Sequence, residues 1–252
     1  DLNDMPEKRD YGDWLHAILK RYHDELLVQQ IPLQETGTVR IDLLTAISDD
    51  FFKRIMKNSP AALGFRMRWL KVIPAYVTWA DQRERDGWQY VFGEVWAEQK
   101  LEWEDGAILL RGRLDRIDAR VLESGVTEFS VLDYKTKKAS ELKKRIEGGE
   151  DHQLAFYGLL QPSLEKQTKL AQPLAIDHID SLDAACYVAL ELEREKTGDT
   201  EAPQYSRWKD EVKKNIQSSM RAIQHGASLP AHGVDSACAY CEMRGLCRKG
   251  AW

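Results

Sequence analysis

The sequence predicts a mixed α/β fold in which a central sheet has helices before and after it, and three observations carry that prediction. Apolar residues recur at helical spacing through the first third of the chain. The middle switches to a period of two over three consecutive runs, and helical spacing returns after them. At 252 residues the chain has the size of one large domain or two small ones, so length alone does not fix the domain count.

The first helix is predicted from Tyr11, Leu15, Ile18, Leu19, Tyr22 and Leu26, which share one face. Leu43, Leu44, Ile47, Phe51, Ile55 and Met56 repeat the pattern, and Asn58-Ser59-Pro60 breaks it. A third helix is expected from Ala61 to about Arg85, with Leu70, Ile73 and Val77 inward and Asp86-Gly87 as its stop. Tyr90 to Trp103, Ile108 to Val121 and Thr127 to Lys135 then read as strands, rich in β-branched and aromatic residues. They are separated by Glu104-Asp105-Gly106 and Glu123-Ser124-Gly125, which makes them consecutive hairpins. Helices follow at Ser140 to Arg145, Gln153 to Leu160 and Tyr205 to His225, with one more strand over Ala184 to Leu192. Neither an internal repeat nor a low-complexity segment is evident.

Composition excludes some functions and leaves others open. A net charge of −5 gives no global attraction to nucleic acid, so any such affinity must come from a local patch. Lys135, Lys137, Lys138, Lys143, Lys144 and Arg145 crowd into one stretch, and Arg111, Arg113, Arg116 and Arg120 recur along a strand; a solvated charged face is the plainer reading of both. No apolar run approaches the roughly 20 residues that span a bilayer, so no membrane partner is expected. The opening Asp1-Leu2-Asn3-Asp4 lacks the pattern of a signal peptide and reads as the start of a fragment, which points to a cytoplasmic chain.

The chemistry concentrates on Gly112 to Asp118 and Val131 to Lys135, the two arms of a hairpin. A three-residue turn over Glu123-Ser124-Gly125 pairs the arms symmetrically about Ser124 and sets Asp115 opposite Asp133. A two-residue turn over Ser124-Gly125 sets Asp115 opposite Tyr134, with Asp133 one step away. Asp133 and Lys135 share a strand face, while Leu132 and Tyr134 point to the other. Two carboxylates at such a spacing repel unless one is protonated or a cation lies between them, and oxygen ligands suit Mg²⁺ or Mn²⁺. Such an ion with a neighbouring Lys has the equipment for phosphodiester hydrolysis. For the short motif alone, a surface hairpin with cross-strand ion pairs is the plainer reading.

The surroundings resemble the RecB-type branch of the PD-(D/E)XK nuclease superfamily, nearest its AddB-like, iron-sulfur members. Gly12-Asp13-Trp14-Leu15-His16 is similar to the Gly-x-x-x-His helix, Gly112 to Asp118 to the first acidic block, Leu132 to Thr136 to the Asp-x-Lys block, and Gln153 to Tyr157 to the Gln-x-x-x-Tyr helix. The resemblance implies a restriction-endonuclease-like core with an N-terminal helical region. Residues 1–88 would be helical and carry the His motif, 89–225 would form the nuclease core, and 226–252 a Cys-rich tail. It also implies metal ligands at His16, Asp115, Asp133 and the Tyr134 carbonyl, catalytic roles for Asp115, Asp133, Lys135, Gln153 and Tyr157, and DNA contacts from Arg113, Arg116, Lys137 and Lys138. Glu98 and Glu94 compete for a further acidic position.

Cys238, Cys241 and Cys247 form Cys-x-x-Cys-x5-Cys, a spacing that favours metal over disulfides in an intracellular chain. The AddB-like resemblance implies a 4Fe-4S cluster whose fourth Cys lies upstream of this fragment. A zinc site completed by His232 is the alternative, and Cys186 is expected to pack as a small apolar residue. The function so implied is a metal-dependent DNA exonuclease in recombination and repair, acting on single strands or ends. Its partners would be an upstream helicase-like region and a helicase-nuclease partner subunit. An inactive nuclease-fold domain that binds DNA or scaffolds, and a stand-alone nuclease resembling the one of CRISPR spacer acquisition, are the alternatives.

Overall fold

The computed structural model describes residues 6–33, 37–148, 151–163, 174, 176, 178–228, 233, 235–239, 241–243 and 247. Three helices lead: α1 (Lys8–Val28), α2 (Thr38–Met56) and α3 (Ala62–Arg85). Strands β1 (Gln89–Trp103), β2 (Gly106–Val121) and β3 (Thr127–Lys135) form the meander. Helices α4 (Ala139–Glu147) and α5 (Gln153–Tyr157), strands β4 (Gln161–Pro162), β5 (Ala184–Ala189) and β6 (Asp199–Glu201), and helices α6 (Tyr205–Gln224) and α7 (Asp235–Cys238) complete it. The sheet order is β4-β1-β2-β3-β5-β6, with β3 and β5 parallel and the other neighbours antiparallel.

Strand alternation divides the interior in two. Leu132, Tyr134, Cys186 and Val188 face α1 to α3 and pack with Leu15, Leu19, Trp69 and Tyr76. Val131, Tyr187 and Ala189 face the other way and pack with Leu142 of α4, Leu154 of α5 and Tyr205 of α6. The sheet is therefore covered on both faces, as the expected α/β arrangement requires.

The β2–β3 ladder runs from Val121 opposite Thr127 to Arg116 opposite Leu132, the register symmetric about Ser124. Gly125 takes φ +81° there, a conformation that any side chain would strain. The three-residue turn therefore prevails over the two-residue one.

The α2 face differs from its expected stripe. Leu44 and Ile47 are buried, but Arg40, Ser48 and Phe52 complete the face while Leu43, Phe51, Ile55 and Met56 are half-buried. Polar side chains enter because partners await them. Arg40 donates to Asp81 at 2.7 Å and Glu84 at 2.6 Å, and Ser48 accepts from the Trp69 indole at 2.9 Å. On α3, likewise, Trp69, Val72 and Tyr76 join Ile73 and Val77 inside, and Leu70 is half-buried. Helix α5 stops three residues short of its expected Leu160, and β5 ends at Ala189 rather than Leu192.

Arg116, expected among the DNA contacts, lies in the interior at 3% exposure. Its guanidinium donates twice to Asp118, which is 0% exposed, and Arg83 donates to the same carboxylate at 2.6 Å. Another Arg116 N–H points at His23 Nε2, 2.8 Å away. An arginine only donates, so His23 must accept there and stay neutral. Burial, with the charges of Arg116 and Arg40, accordingly holds the His23 pKa well below its usual value. The unfolded chain protonates this His near pH 6.5, so its contribution to stability is complete above that pH and is lost below it. Urea titrations should show stability falling by about 1.4 kcal/mol per pH unit below ~6.5 from this group. The His23→Gln variant should lack that component; an unchanged slope would exclude a neutral buried His23.

Candidate active site

The end of β3 organises the site. The Tyr134 amide donates to Asp115 Oδ2 at 2.9 Å, and the Tyr134 carbonyl lies 3.3 Å from His16 Nε2 on α1. The other imidazole nitrogen is 3.5 Å from Glu94 Oε1 and 3.6 Å from Asp115 Oδ1. His16, Glu94 and Asp115 each offer a ligand atom, and these lie within 4.8 Å of one another, the one such group among the described residues.

Glu94 reaches this position through an irregular backbone. The β1–β2 register shifts between Tyr90 and Phe92, and Glu94 itself has φ +55°. Gly93 precedes it where a Cβ would meet Tyr90 Oη at 2.8 Å, so a side chain there would crowd the bulge. Glu98, the competing candidate, instead lies in regular strand opposite Arg111 and forms an exposed ion pair with it at 3.4 Å.

Asp133 and Lys135 form the adjoining half. Lys135 Nζ is 2.5 Å from Asp133 Oδ2 and donates to Gln153 Oε1 at 2.9 Å. The Gln153 amide donates in turn to Asp133 Oδ1 at 2.9 Å and Tyr157 Oη at 2.8 Å. One turn of α5 thus clamps the acid and the amine together. Asp133 stands outside the group of three, turned towards Lys135 and Gln153.

Charge is concentrated and desolvated. Burial, then the Asp133 charge, pushes the Asp115 carboxyl up to about 7 against the opposing pull of His16 and the Tyr134 amide. Asp133 is raised by burial too, although Lys135 opposes this. For His16, burial favours the neutral ring, but Glu94 and Asp115 outweigh it and raise the pKa to about 9. Burial and the mutual repulsion of Asp115 and Asp133 disfavour two bare carboxylates here, and a cation between them would relieve both.

The donors fit a divalent cation. An imidazole nitrogen and carboxylate oxygens converge, a backbone carbonyl lies beside them, and Glu94 Oε1 is buried without a hydrogen-bond partner. A cleft of about 540 Å³, lined by His16, Lys20, Glu94 and Arg113 among others, opens beside the group.

The remaining expected residues are dispersed. Arg113 is exposed and pairs with Glu94 Oε2 at 2.7 Å, while Lys137 is half-buried and Lys138 exposed between β3 and α4. Cys238 is half-buried, and Cys241 and Cys247 are exposed. His232 lies outside the described residues. Cys186 is buried in β5, packed among apolar neighbours as expected.

Two supporting residues escaped the sequence reading. Asp151 accepts the Gln153 backbone N–H at 3.0 Å and the Tyr187 hydroxyl at 2.7 Å, and Lys135 Nζ lies 5.4 Å from the Tyr187 ring centroid. An Asp two residues ahead of a helical Gln is a legible turn signal. Tyr187 gave none, because parallel pairing with Asp133 across β3 and β5 is not local.

A family model described as the PD-(D/E)XK nuclease superfamily matches residues 2–248. The chain belongs to that superfamily. No curated protein matches this PD-(D/E)XK chain. It aligns with the crystal structure of SSO0001 at 11% identity and a TM-score of 0.30, over 92% of this chain and 95% of that one. Membership makes a phosphodiester-cleaving nuclease the family expectation and agrees with the mixed six-stranded sheet flanked by helices. No helix among the described residues is long and apolar enough to cross a membrane.

Proposed function

We propose that this PD-(D/E)XK protein is a Mg²⁺- or Mn²⁺-dependent deoxyribonuclease of the RecB-type branch, nearest the AddB-like C-terminal domain. It acts as an exonuclease on single strands or DNA ends in recombination and repair. The observation that carries the reading is the convergence of His16, Glu94 and Asp115 beside a lysine clamped by Asp133 and Gln153.

His16, Asp115, Glu94 and the Tyr134 carbonyl would hold the ion, with Asp133 as a further ligand on modest side-chain rotation. Glu94 is an addition to the ligands expected from sequence. When bound, the cation supplies neutralisation of the phosphoryl oxygens and activation of water. Lys135 keeps its ammonium directed at the reacting phosphate and stabilises the negative charge that grows as the P–O bond breaks. Gln153 fixes that ammonium, and Tyr157 fixes Gln153 through its hydroxyl. Arg113, Lys137 and Lys138 contact the DNA backbone, a set from which Arg116 is absent because it is buried.

A cytoplasmic helicase-nuclease, with a helicase-like region of the same chain and a partner subunit, is the setting in which this domain acts. The Cys238, Cys241 and Cys247 trio would supply ligands to a 4Fe-4S cluster whose fourth Cys would come from an upstream segment.

End-labelled single strands incubated with the protein and Mn²⁺ should be degraded, and a chelator should stop the reaction. Calorimetry should record Mn²⁺ binding to the wild type and a loss of at least about tenfold in affinity for Glu94→Gln. DNA binding with no product in either metal would favour a scaffolding domain over a nuclease.

A further inference from the structure

An exposed aromatic side chain stands beside the group of His16, Glu94 and Asp115. Trp96 on β1 is 45% exposed, although Val95 and Ala97 on either side of it are buried in the core. Strand alternation turns the indole to the opposite face. There Arg113 of β2 lies directly across from Trp96, and Glu98, two residues further along β1, lies across from Arg111. Residues paired in this way have Cβ atoms about 5 Å apart on one face of the sheet.

That face runs into the proposed nuclease centre. Arg113 pairs with Glu94 Oε2 at 2.7 Å and lines the cleft that His16 and Glu94 also line. Trp96 is two residues from Glu94, about 7 Å along the strand. A nucleic-acid strand whose phosphate reaches the group of three can therefore lay a neighbouring nucleotide on the indole.

The chemistry of the face selects that occupant. The Arg111 and Arg113 side chains are 59% and 61% exposed, and the Arg111–Glu98 pair, 3.4 Å apart, lies in solvent. An exposed pair of this kind contributes at most about 1 kcal/mol, so a phosphate can take the guanidinium over. A protein partner would bury Trp96 in a patch poor in charge, whereas its neighbours Arg113, Arg111 and Glu98 are all charged. A nucleotide offers a flat face for the indole and a phosphate for the arginines. In a duplex the base faces already stack on one another, so only an unpaired base can lie on Trp96.

We propose that Trp96 is the stacking platform for an unpaired base of the substrate strand, with Arg111 and Arg113 holding the phosphates that flank this base. The inference rests on the nuclease reading and narrows it, since the strand must be unpaired where it meets the site.

Anisotropy of a labelled single-stranded oligonucleotide, measured with a chelator so that nothing is cut, tests the assignment. Trp96→Ala should weaken binding by about tenfold, within the range of one base–aromatic stack, and Trp96→Phe by less than about threefold. A blunt duplex should bind the wild type and Trp96→Ala equally. Moving a single abasic residue along the strand gives a readout that a merely structural tryptophan would leave flat. In the wild type one position should cost about tenfold, and in Trp96→Ala none should. With Mn²⁺ present, Trp96→Ala should raise the KM for the single strand by a similar factor and leave kcat within about twofold. Equal affinity and equal KM for the wild type and Trp96→Ala, or an abasic profile that survives the substitution, would overturn the inference and leave a DNA-cutting protein its nuclease reading. A dimer that Trp96→Ala splits without weakening DNA binding would overturn it too, by assigning the face to a second copy of the chain. A wild type that neither binds nor cuts single strands would end both readings.

Discussion

Lys135→Ala is expected to lower the rate of DNA cleavage by about 10²- to 10³-fold, the range found when a preorganised donor to a developing negative charge is removed. The same substitution should also cost stability. Asp133 is 1% exposed and Lys135 is its charged partner, so truncating the amine leaves a carboxylate in low dielectric or forces it to take up a proton. The two effects can be separated with the double variant Lys135→Met/Asp133→Asn, in which neither charge remains. Its Tm should recover towards the wild-type value while cleavage stays undetectable. Single-turnover kinetics on a labelled strand, beside thermal melts of the three proteins, decide the matter. A Lys135→Ala enzyme within tenfold of wild type would remove this lysine from the chemistry.

Asp118→Ala should produce the largest loss of stability in the molecule, about 3–5 kcal/mol by analogy with other broken buried ion pairs. Asp118 is the single carboxylate that receives both Arg83 and Arg116, and it is completely buried. Removing it leaves the Arg116 guanidinium without a carboxylate and Arg83 with only Asp199 at 3.9 Å, and neither arginine can lose its proton. Asp118→Asn keeps the shape and some hydrogen bonds but not the charge, so it should fall between the wild type and Ala. Urea unfolding with a shared m-value is the measurement, and a loss under about 1 kcal/mol for Asp118→Ala would mean that solvent reaches this network.

Much of this organisation was legible in the sequence. The strands at Tyr90, Ile108 and Thr127 were marked by β-branched residues and by turn residues, and the Gly of Glu123-Ser124-Gly125 carried the register. Both acids and the lysine could be placed near one another because hairpin pairing is local. What stayed hidden depends on distant partners. Arg116 reads as a surface charge until His23, Tyr76 and Arg83 arrive from α1 and α3, far along the chain. The preference for Glu94 over Glu98 rests on a bulge and a positive φ that alternating strand residues do not announce. Short strands such as β4 and β6 add too few residues to show a period at all.

Tyr134 sends its amide to Asp115, its carbonyl towards His16, and its hydroxyl to Tyr76 at 3.0 Å in the buried polar interior. A single residue therefore ties reactivity to the masonry behind it. The proposed catalytic groups can be no stiffer than that hidden lattice, so repacking beneath α3 is expected to disturb the site before the fold gives way.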